Sequence, residues 1–104
     1  MLETTVRSSF ANQGEICLCG SRILVQDVIY DQFKEDFIER VKKIKVGDPQ
    51  TTDTFMGAIV SEAHYQKIQS YIDLALEEGG TILSGGHTIE GSSRCKEGYF
   101  IAPT

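Results

Sequence analysis

The sequence predicts an α/β fold in which short parallel strands alternate with two long helices. Two apolar patterns with helical spacing are interleaved with short runs rich in branched residues, and glycine or proline turns separate them. A length of 104 residues is enough for one small domain or for part of a larger one. With 40% hydrophobic and 24% charged residues, the composition is that of a globular protein.

The first part of the chain predicts a short helix, a turn and a strand. Residues 4–10 favour a helical turn or two, because apolar side chains recur every fourth position on one face. Gly14 interrupts this helix. Residues 22–26 read Arg-Ile-Leu-Val-Gln, which is typical of a buried strand. The segment 14–21 therefore links a helix to a strand.

A long helix is predicted over residues 28–44, with Asp27 as its N-cap. Charged side chains occupy one side and an apolar stripe the other, so one face should be packed. The stripe consists of Ile29, Phe33, Phe37, Val41 and Ile44. Residues 46–53 then predict a loop, because glycine accepts positive φ and proline fixes its own φ near −65°.

A second long helix is predicted to begin at Ser61 as its cap and to end at the glycine pair 79–80. Its packed face consists of Tyr65, Ile68, Ile72 and Ala75. Residues 81–83 and 99–101 predict two further short strands, on either side of a polar, glycine-rich connection over residues 85–96.

Charge and hydropathy exclude two classes of partner. Fifteen acidic against ten basic residues give a net charge of −5, so a nucleic-acid groove is not expected. No apolar run reaches the roughly 20 residues that a membrane span needs, and no signal-peptide pattern follows Met1. The three cysteines are an odd number, which favours reduced thiols. We expect a cytoplasmic protein that binds neither membrane nor nucleic acid.

Cys17 is the residue with the most chemical interest, because it lies in a glycine-flanked turn between a helix and a strand. A thiol becomes an effective nucleophile as the thiolate, which backbone N–H groups or cationic neighbours favour. Most cysteines beside apolar residues such as Ile16 and Leu18 are simply small buried side chains. Position alone leaves both interpretations open.

The segment over residues 10–17 resembles the active-site cysteine signature of the aldehyde dehydrogenase superfamily. The positions that carry the resemblance are Phe10, Asn12, Gly14, Glu15 and Cys17. It continues through Val-Gly-Asp-Pro at 46–49, Gly-Ala-Ile-Val at 57–60 and Gly-Tyr-Phe-Ile-Ala-Pro-Thr at 98–104. The chain therefore looks like a fragment of the catalytic domain of such an enzyme. The pair Leu18-Cys19 looks most like the branch that oxidises muconic-type semialdehydes.

The resemblance implies that the Cys17 thiolate attacks an aldehyde to give a thiohemiacetal, that a hydride passes to NAD or NADP, and that water releases the acid from a thioester. In the family, an oxyanion-binding asparagine, the general-base glutamate and the cofactor domain lie upstream of this region. We therefore expect residues 1–104 to be a partial catalytic domain without the cofactor-binding domain. Alone, it should be inactive and should bind no cofactor tightly. Glu15 is assigned no catalytic role.

Two further clusters are weaker candidates. Lys67 matches a position that can contact the cofactor ribose in relatives, and His64 lies one turn earlier. Both are equally ordinary members of a solvated helix face, so the cofactor-binding residues stay open. A metal set would combine the three cysteines Cys17, Cys19 and Cys95 with His64 or His87. Zinc ligand pairs are usually two to four residues apart, so Cys-Leu-Cys is too close and no metal is predicted.

The alternative function is a non-catalytic folding or association module derived from an aldehyde dehydrogenase. Unpaired apolar strand edges would be covered by a partner or by another copy, so a homo-oligomer is expected under either function.

Overall fold

The structure is a computed structural model that describes the backbone of residues 1–104 and every side chain except that of Ser93. It contains the α-helices α1 (Leu2–Phe10), α2 (Tyr30–Lys42) and α3 (Glu62–Glu77). Short 3-10 helices lie at Ala11–Gly14, Asp27–Ile29 and Ser93–Cys95. The chain divides into two compact units, Met1–Ile44 and Lys45–Thr104. None of the helices in the described chain has the length and apolarity to cross a membrane.

The first unit is built on the packing of α1 and α2. Val6 of α1 and Val41 of α2 are 5% and 3% exposed and form its buried centre. The Phe37 ring lies 6.3 Å from that of Phe10 and 5.7 Å from that of Phe33, measured between ring centroids. Such aromatic pairs contribute beyond their buried area. The short first helix is therefore confirmed, and so is the central part of the predicted apolar stripe, at Phe33, Phe37 and Val41. Ile29 precedes α2 and is 46% exposed, so the stripe does not extend to it.

The predicted start of α2 is wrong. Residues Asp27–Ile29 form a 3-10 helix, the α-helix begins only at Tyr30, and Asp27 is the first residue of the 3-10 helix instead of a cap. The amide of Ile29 donates to the carbonyl of Gln26 at 3.1 Å. A tight 3-10 helix is common at the beginning of an α-helix, and it satisfies early amides without a capping side chain.

The second of the two predicted long helices, α3, begins and ends where the sequence predicts. Ser61 caps α3, and its Oγ accepts a hydrogen bond of 3.2 Å from the amide of His64. Gly79 follows the helix with a φ of +89°, the left-handed conformation that stops it. Of the predicted packed face, Tyr65, Ile68 and Ile72 are half-buried, whereas Ala75 is exposed. The ring of Tyr65 lies 5.5 Å from that of Tyr99.

Alternating parallel strands are not confirmed. Residues 22–26 and 81–83 form no strand among the described residues, and Leu24 is 96% exposed. A strand exists only where a second segment pairs with its N–H and C=O groups. The apolar composition of these runs identifies segments suited to a sheet, but it does not supply the partner.

The last predicted strand, residues 99–101, is replaced by single antiparallel bridges. Tyr99 pairs with Ile59, and Ile101 pairs with Thr88. The supporting hydrogen bonds include one of 2.8 Å from the amide of Ile59 to the carbonyl of Tyr99. These bridges connect segments that lie apart in sequence, and they tie the end of the chain into the second unit.

The core of the second unit contains Phe100 and Ala102, which are 2% and 8% exposed. Glycines pack closely against the Phe100 ring. A Cβ at Gly91 would lie 1.9 Å from the carbonyl oxygen of Cys95 and 2.9 Å from the Phe100 ring. A Cβ at Gly98 would lie 2.6 Å from the same ring. The glycine-rich connection is therefore a close-fitting cover over the core instead of a loose linker.

The loop over residues 46–53 is held by a bidentate ion pair. Arg94 donates from Nε to Oδ2 of Asp48 at 2.7 Å and from Nη2 to Oδ1 at 2.8 Å. The amide of Gln50 donates to the same Oδ1 at 2.9 Å. The hydrogen bonds from Arg94, followed by that from Gln50, lower the pKa of Asp48 below its ordinary value. This clamp joins the predicted loop to the glycine-rich cover.

Gly91→Ala should destabilise the chain because the new methyl group would overlap a backbone carbonyl. We expect a loss of about 1–3 kcal/mol, the usual cost of overpacking. Gly47→Ala is the matched control, since a Cβ there has no atom within 4 Å. Urea unfolding measures both variants, and equal midpoints for the two would contradict the packing described for Gly91.

Asp48→Asn should lower stability at neutral pH and lose that effect in acid. A carboxylate whose pKa is depressed in the folded state stabilises that state above its unfolded pKa, and the stabilisation disappears as pH falls through the folded value. The difference in thermal midpoint between parent and variant should therefore shrink as the pH falls below the ordinary pKa of an aspartate, about 3.9, toward the lowered pKa of Asp48. Asp73→Asn, at an exposed position of α3, serves as the control. A pH-independent difference would argue against the charge of Asp48 as its cause.

Candidate active-site loop

Cys17 lies in a loop whose two ends are joined by a backbone hydrogen bond. The amide of Gly20 donates to the carbonyl of Ser8, in α1, at 3.0 Å. We call residues 8–20 the cysteine loop. Loops with closed ends and internal contacts are compact surface structures that frequently carry functional residues.

The chain leaves α1 through three successive residues in the left-handed region. The φ angles of Asn12, Gln13 and Gly14 are 51°, 57° and 76°. The amide of Glu15 then donates to the carbonyl of Asn12 at 3.0 Å. A Cβ at Gly14 would approach the carbonyl oxygen of Ser9 to 3.3 Å. This run reverses the chain tightly beneath the tip of the loop.

A hydrogen-bonded turn forms the tip. The amide of Cys19 donates to the carbonyl of Ile16 at 2.9 Å, which places Cys17 and Leu18 at the two central positions. Cys17 is exposed and Leu18 is 86% exposed. Cys19 is half-buried, and its Sγ lies 3.9 Å from the carbonyl oxygen of Ala11. The turn therefore presents one thiol outward and turns the other back; the nucleophilic role of Cys17 stays a prediction.

A groove of mixed polar and apolar lining between α1 and residues 20–24 was not anticipated from the sequence. Its lining contains four hydroxyl residues of α1 and the side of the extended segment: Thr4, Thr5, Ser8, Ser9, Gly20, Arg22, Ile23 and Leu24. The Oγ of Ser9 is buried and has no hydrogen-bond partner among the described atoms. A Cβ at residue 20 would come within 3.1 Å of the Ser8 hydroxyl, so glycine there permits close approach. The spacing of these four hydroxyl residues, at positions i, i+1, i+4 and i+5, places them on one side of a helix, and it is the sequence signal that could have predicted the groove.

The candidate cofactor contacts lie in the second unit, on α3. Lys67 is exposed and His64 is half-buried, one turn apart. The carbonyl of Lys67 accepts a 2.7 Å hydrogen bond from the hydroxyl of Ser70. Glu15 is exposed, beside the tip of the cysteine loop.

The cysteines are free thiols and are divided between the two units. Cys17 and Cys19 belong to the first unit, whereas Cys95, His64 and His87 belong to the second. The Nδ1 of His87 lies 3.1 Å from the carbonyl oxygen of Gly85. Among the side chains that the structure describes, no group of three His, Cys, Asp or Glu residues is arranged to hold a metal ion.

The sequence model of the aldehyde dehydrogenase family matches this chain over residues 1–104. The 2-aminomuconic semialdehyde dehydrogenase of Bos taurus is 50% identical over 99% of this chain and 22% of its own length. The acetaldehyde dehydrogenase of Pseudomonas aeruginosa is 46% identical over 92% of this chain and 19% of its own length. The chain thus spans about a fifth of the length of these curated relatives.

The fold is also similar to that of solved aldehyde dehydrogenases. A betaine aldehyde dehydrogenase from Staphylococcus aureus, in complex with NAD+, superposes with a TM-score of 0.90 at 42% identity. The match covers 99% of this chain and 20% of that one. The lactaldehyde dehydrogenase of Escherichia coli gives a TM-score of 0.88 at 33% identity, over 99% of this chain and 21% of that one.

Cys17 should react first with a small alkylating reagent, because it is exposed while Cys19 and Cys95 are half-buried. Substoichiometric iodoacetamide followed by peptide mass spectrometry of the native 104-residue chain should find most of the label on Cys17. In urea, where burial is lost, the preference should decline. Native labelling that favours Cys95 would contradict the presentation of Cys17 by the turn.

Proposed function

Because this chain belongs to the aldehyde dehydrogenase family, we propose that it is the nucleophile-bearing part of a longer NAD-dependent aldehyde dehydrogenase. The observation that supports this most is the exposed Cys17 thiol at the tip of the cysteine loop. Residues 1–104 then form a partial catalytic domain, and the cofactor-binding domain and general base belong to the rest of that enzyme.

The chemistry assigned to Cys17 is nucleophilic attack. Its thiolate sulfur forms a bond to the aldehyde carbon, and the carbonyl oxygen becomes an alkoxide or hydroxyl in the resulting thiohemiacetal. Loss of a hydride from that carbon gives a thioester. Water then attacks the thioester, the carbon–sulfur bond breaks, and the acid leaves while Cys17 returns to the thiolate. The contribution of this chain is to hold the sulfur in place through these steps.

A nicotinamide cofactor would supply the hydride acceptor, and the NAD+ complex of the Staphylococcus aureus relative supports NAD in that role. The residues described here do not by themselves fit a dinucleotide site. The glycines at 79–80 follow a helix, and Gly85 lies where a Cβ would be 2.3 Å from the carbonyl oxygen of Pro103. Phosphate loops instead follow a strand and open a helix. The 104-residue chain alone is therefore proposed to be inactive.

The proposed substrates are muconic-type semialdehydes, a narrower class than aldehydes in general. The identity of 50% with a 2-aminomuconic semialdehyde dehydrogenase supports the muconic-type semialdehyde branch, as the Leu18-Cys19 pair does. The 46% identity with an acetaldehyde dehydrogenase supports only the oxidation of an aldehyde.

A non-catalytic association module is the second candidate, and exposed apolar side chains around the cysteine loop favour it. Leu18, Leu24 and Val28 are 86%, 96% and 81% exposed. Cover by another copy of the chain would bury them and would make a homo-oligomer. Light scattering of the 104-residue chain distinguishes this function, which requires a stable, discrete oligomer without selective labelling of Cys17.

Cys17→Ala in the longer enzyme should lower aldehyde-dependent NADH formation by at least about a thousandfold, because no other group forms the covalent intermediate. Absorbance at the NADH band measures it, with an unsaturated semialdehyde and a simple aliphatic aldehyde as substrates. Cys95→Ala is the control that removes a thiol from the second unit and should keep the parent rate. Activity retained in Cys17→Ala would refute the proposed function.

A further inference from the structure

The cysteine loop contains an unusual stretch of backbone. Asn12 and Gln13 are the non-glycine residues of the described chain that have positive φ, and they are adjacent. Asparagine visits the left-handed region comparatively readily, whereas glutamine has no such tendency. Left-handed residues normally occur singly, yet here Gly14 continues the run. The loop therefore keeps an unfavourable conformation at a residue type that does not favour it.

The left-handed run determines where the following residues go. From Gln13, with φ 57° and ψ 19°, the chain turns so that the Glu15 amide reaches the carbonyl of Asn12. The chain then returns to α1, where the Gly20 amide meets the carbonyl of Ser8. Extended or right-handed backbone at residue 13 would send the chain in another direction, and the loop would not close in this form.

We propose that Gln13 is a positioning residue for Cys17, and that it acts through its left-handed backbone instead of through its side-chain amide. The inference rests on the proposed role of Cys17 as the nucleophile. Strained backbone at a loop is retained where surrounding contacts enforce it, and such sites cluster where geometry matters for function. The strained residue here lies four positions before the thiol, within the closed loop that carries it.

Substitutions at this position separate backbone from side chain. Gln13→Ala and Gln13→Val both remove the amide, but the β-branched valine is far less compatible with positive φ. Gln13→Asn introduces a residue that accepts the left-handed region more readily. Gln32→Val, at an exposed position of α2, is the control for valine in a right-handed backbone.

In the longer enzyme, Gln13→Val should lower kcat by about tenfold to a hundredfold, the usual effect of displacing a reacting group by about 1 Å. The KM for NAD should stay unchanged, because the proposed cofactor-binding domain belongs to the rest of the enzyme and most of the cofactor's contacts should lie there. Gln13→Ala, Gln13→Asn and Gln32→Val should keep kcat within about twofold of the parent. An equal loss in Gln13→Ala and Gln13→Val would assign the effect to the side chain and overturn the proposal, as would an unchanged kcat in Gln13→Val.

Hydrogen exchange in the 104-residue chain provides a readout that is independent of activity. Gln13→Val should speed exchange at the amides of Cys19 and Gly20, which close the turn and the loop, and leave α3 protected. If Gln13→Val does not fold, Gln13→Gly replaces it: glycine adopts positive φ at little cost, so its Gly20 amide should exchange no faster than in Gln13→Ala. Faster exchange in Gln13→Gly overturns the proposal. Loss of activity in Cys17→Ala together with normal Gln13→Val would refute the positioning role and leave the proposed function standing.

Discussion

The hydrogen bond between the Gly20 amide and the Ser8 carbonyl is the contact on which the geometry of the cysteine loop depends. It joins the end of the loop to α1, and α1 is in turn anchored by the buried Val6. Glycine at residue 20 makes this approach possible, since a Cβ there would crowd the Ser8 hydroxyl at 3.1 Å. The position of Cys17 is therefore set from both ends of one closed segment.

That closure is marginal in energy. A backbone hydrogen bond contributes about 0.5–1.5 kcal/mol net, while one non-glycine residue in the left-handed region costs about 1–2 kcal/mol. The few hydrogen bonds within the loop thus roughly offset Asn12 and Gln13 and leave little surplus. Packing of α1 against α2, at Val6 and Val41, supplies the rigid base that the loop itself lacks. The cysteine loop is consequently sensitive to backbone changes at its bend and tolerant of changes at its exposed tip.

The sequence predicts the helices well because their signals are local. The stripe of α2 and the Ser61 cap of α3 depend on residues within a turn or two of one another. The start of α2 was not predicted correctly, because aspartate is common both as an N-cap and as the first residue of a short 3-10 helix. Residue type alone does not distinguish these two positions for Asp27. Residues 22–26 form no strand in this structure, and the reason is different. Strand pairing is non-local, so an apolar run does not indicate which segment lies beside it.

The candidate site also combines features that the sequence predicts with features that only the structure shows. The signature around Cys17 identifies the thiol, and Gly14 marks a turn, since both are visible as residue types. The left-handed angle of Gln13 is not visible, because glutamine does not favour it and only the closure of the loop requires it. The ion pair between Asp48 and Arg94 could not be predicted from the sequence either, because 46 residues separate the two partners along the chain.

Positioning a thiol and activating it are separate physical requirements, and this chain meets the first. The tip of the cysteine loop exposes Ile16 and Leu18, which are 41% and 86% exposed, on either side of Cys17. Apolar neighbours do not stabilise a developing oxyanion; aimed hydrogen-bond donors do. They do exclude water once another segment covers them, and electrostatic interactions inside a site from which water is excluded become stronger. Under the proposed function, reactivity at Cys17 therefore depends on what covers the tip as much as on the loop that holds it.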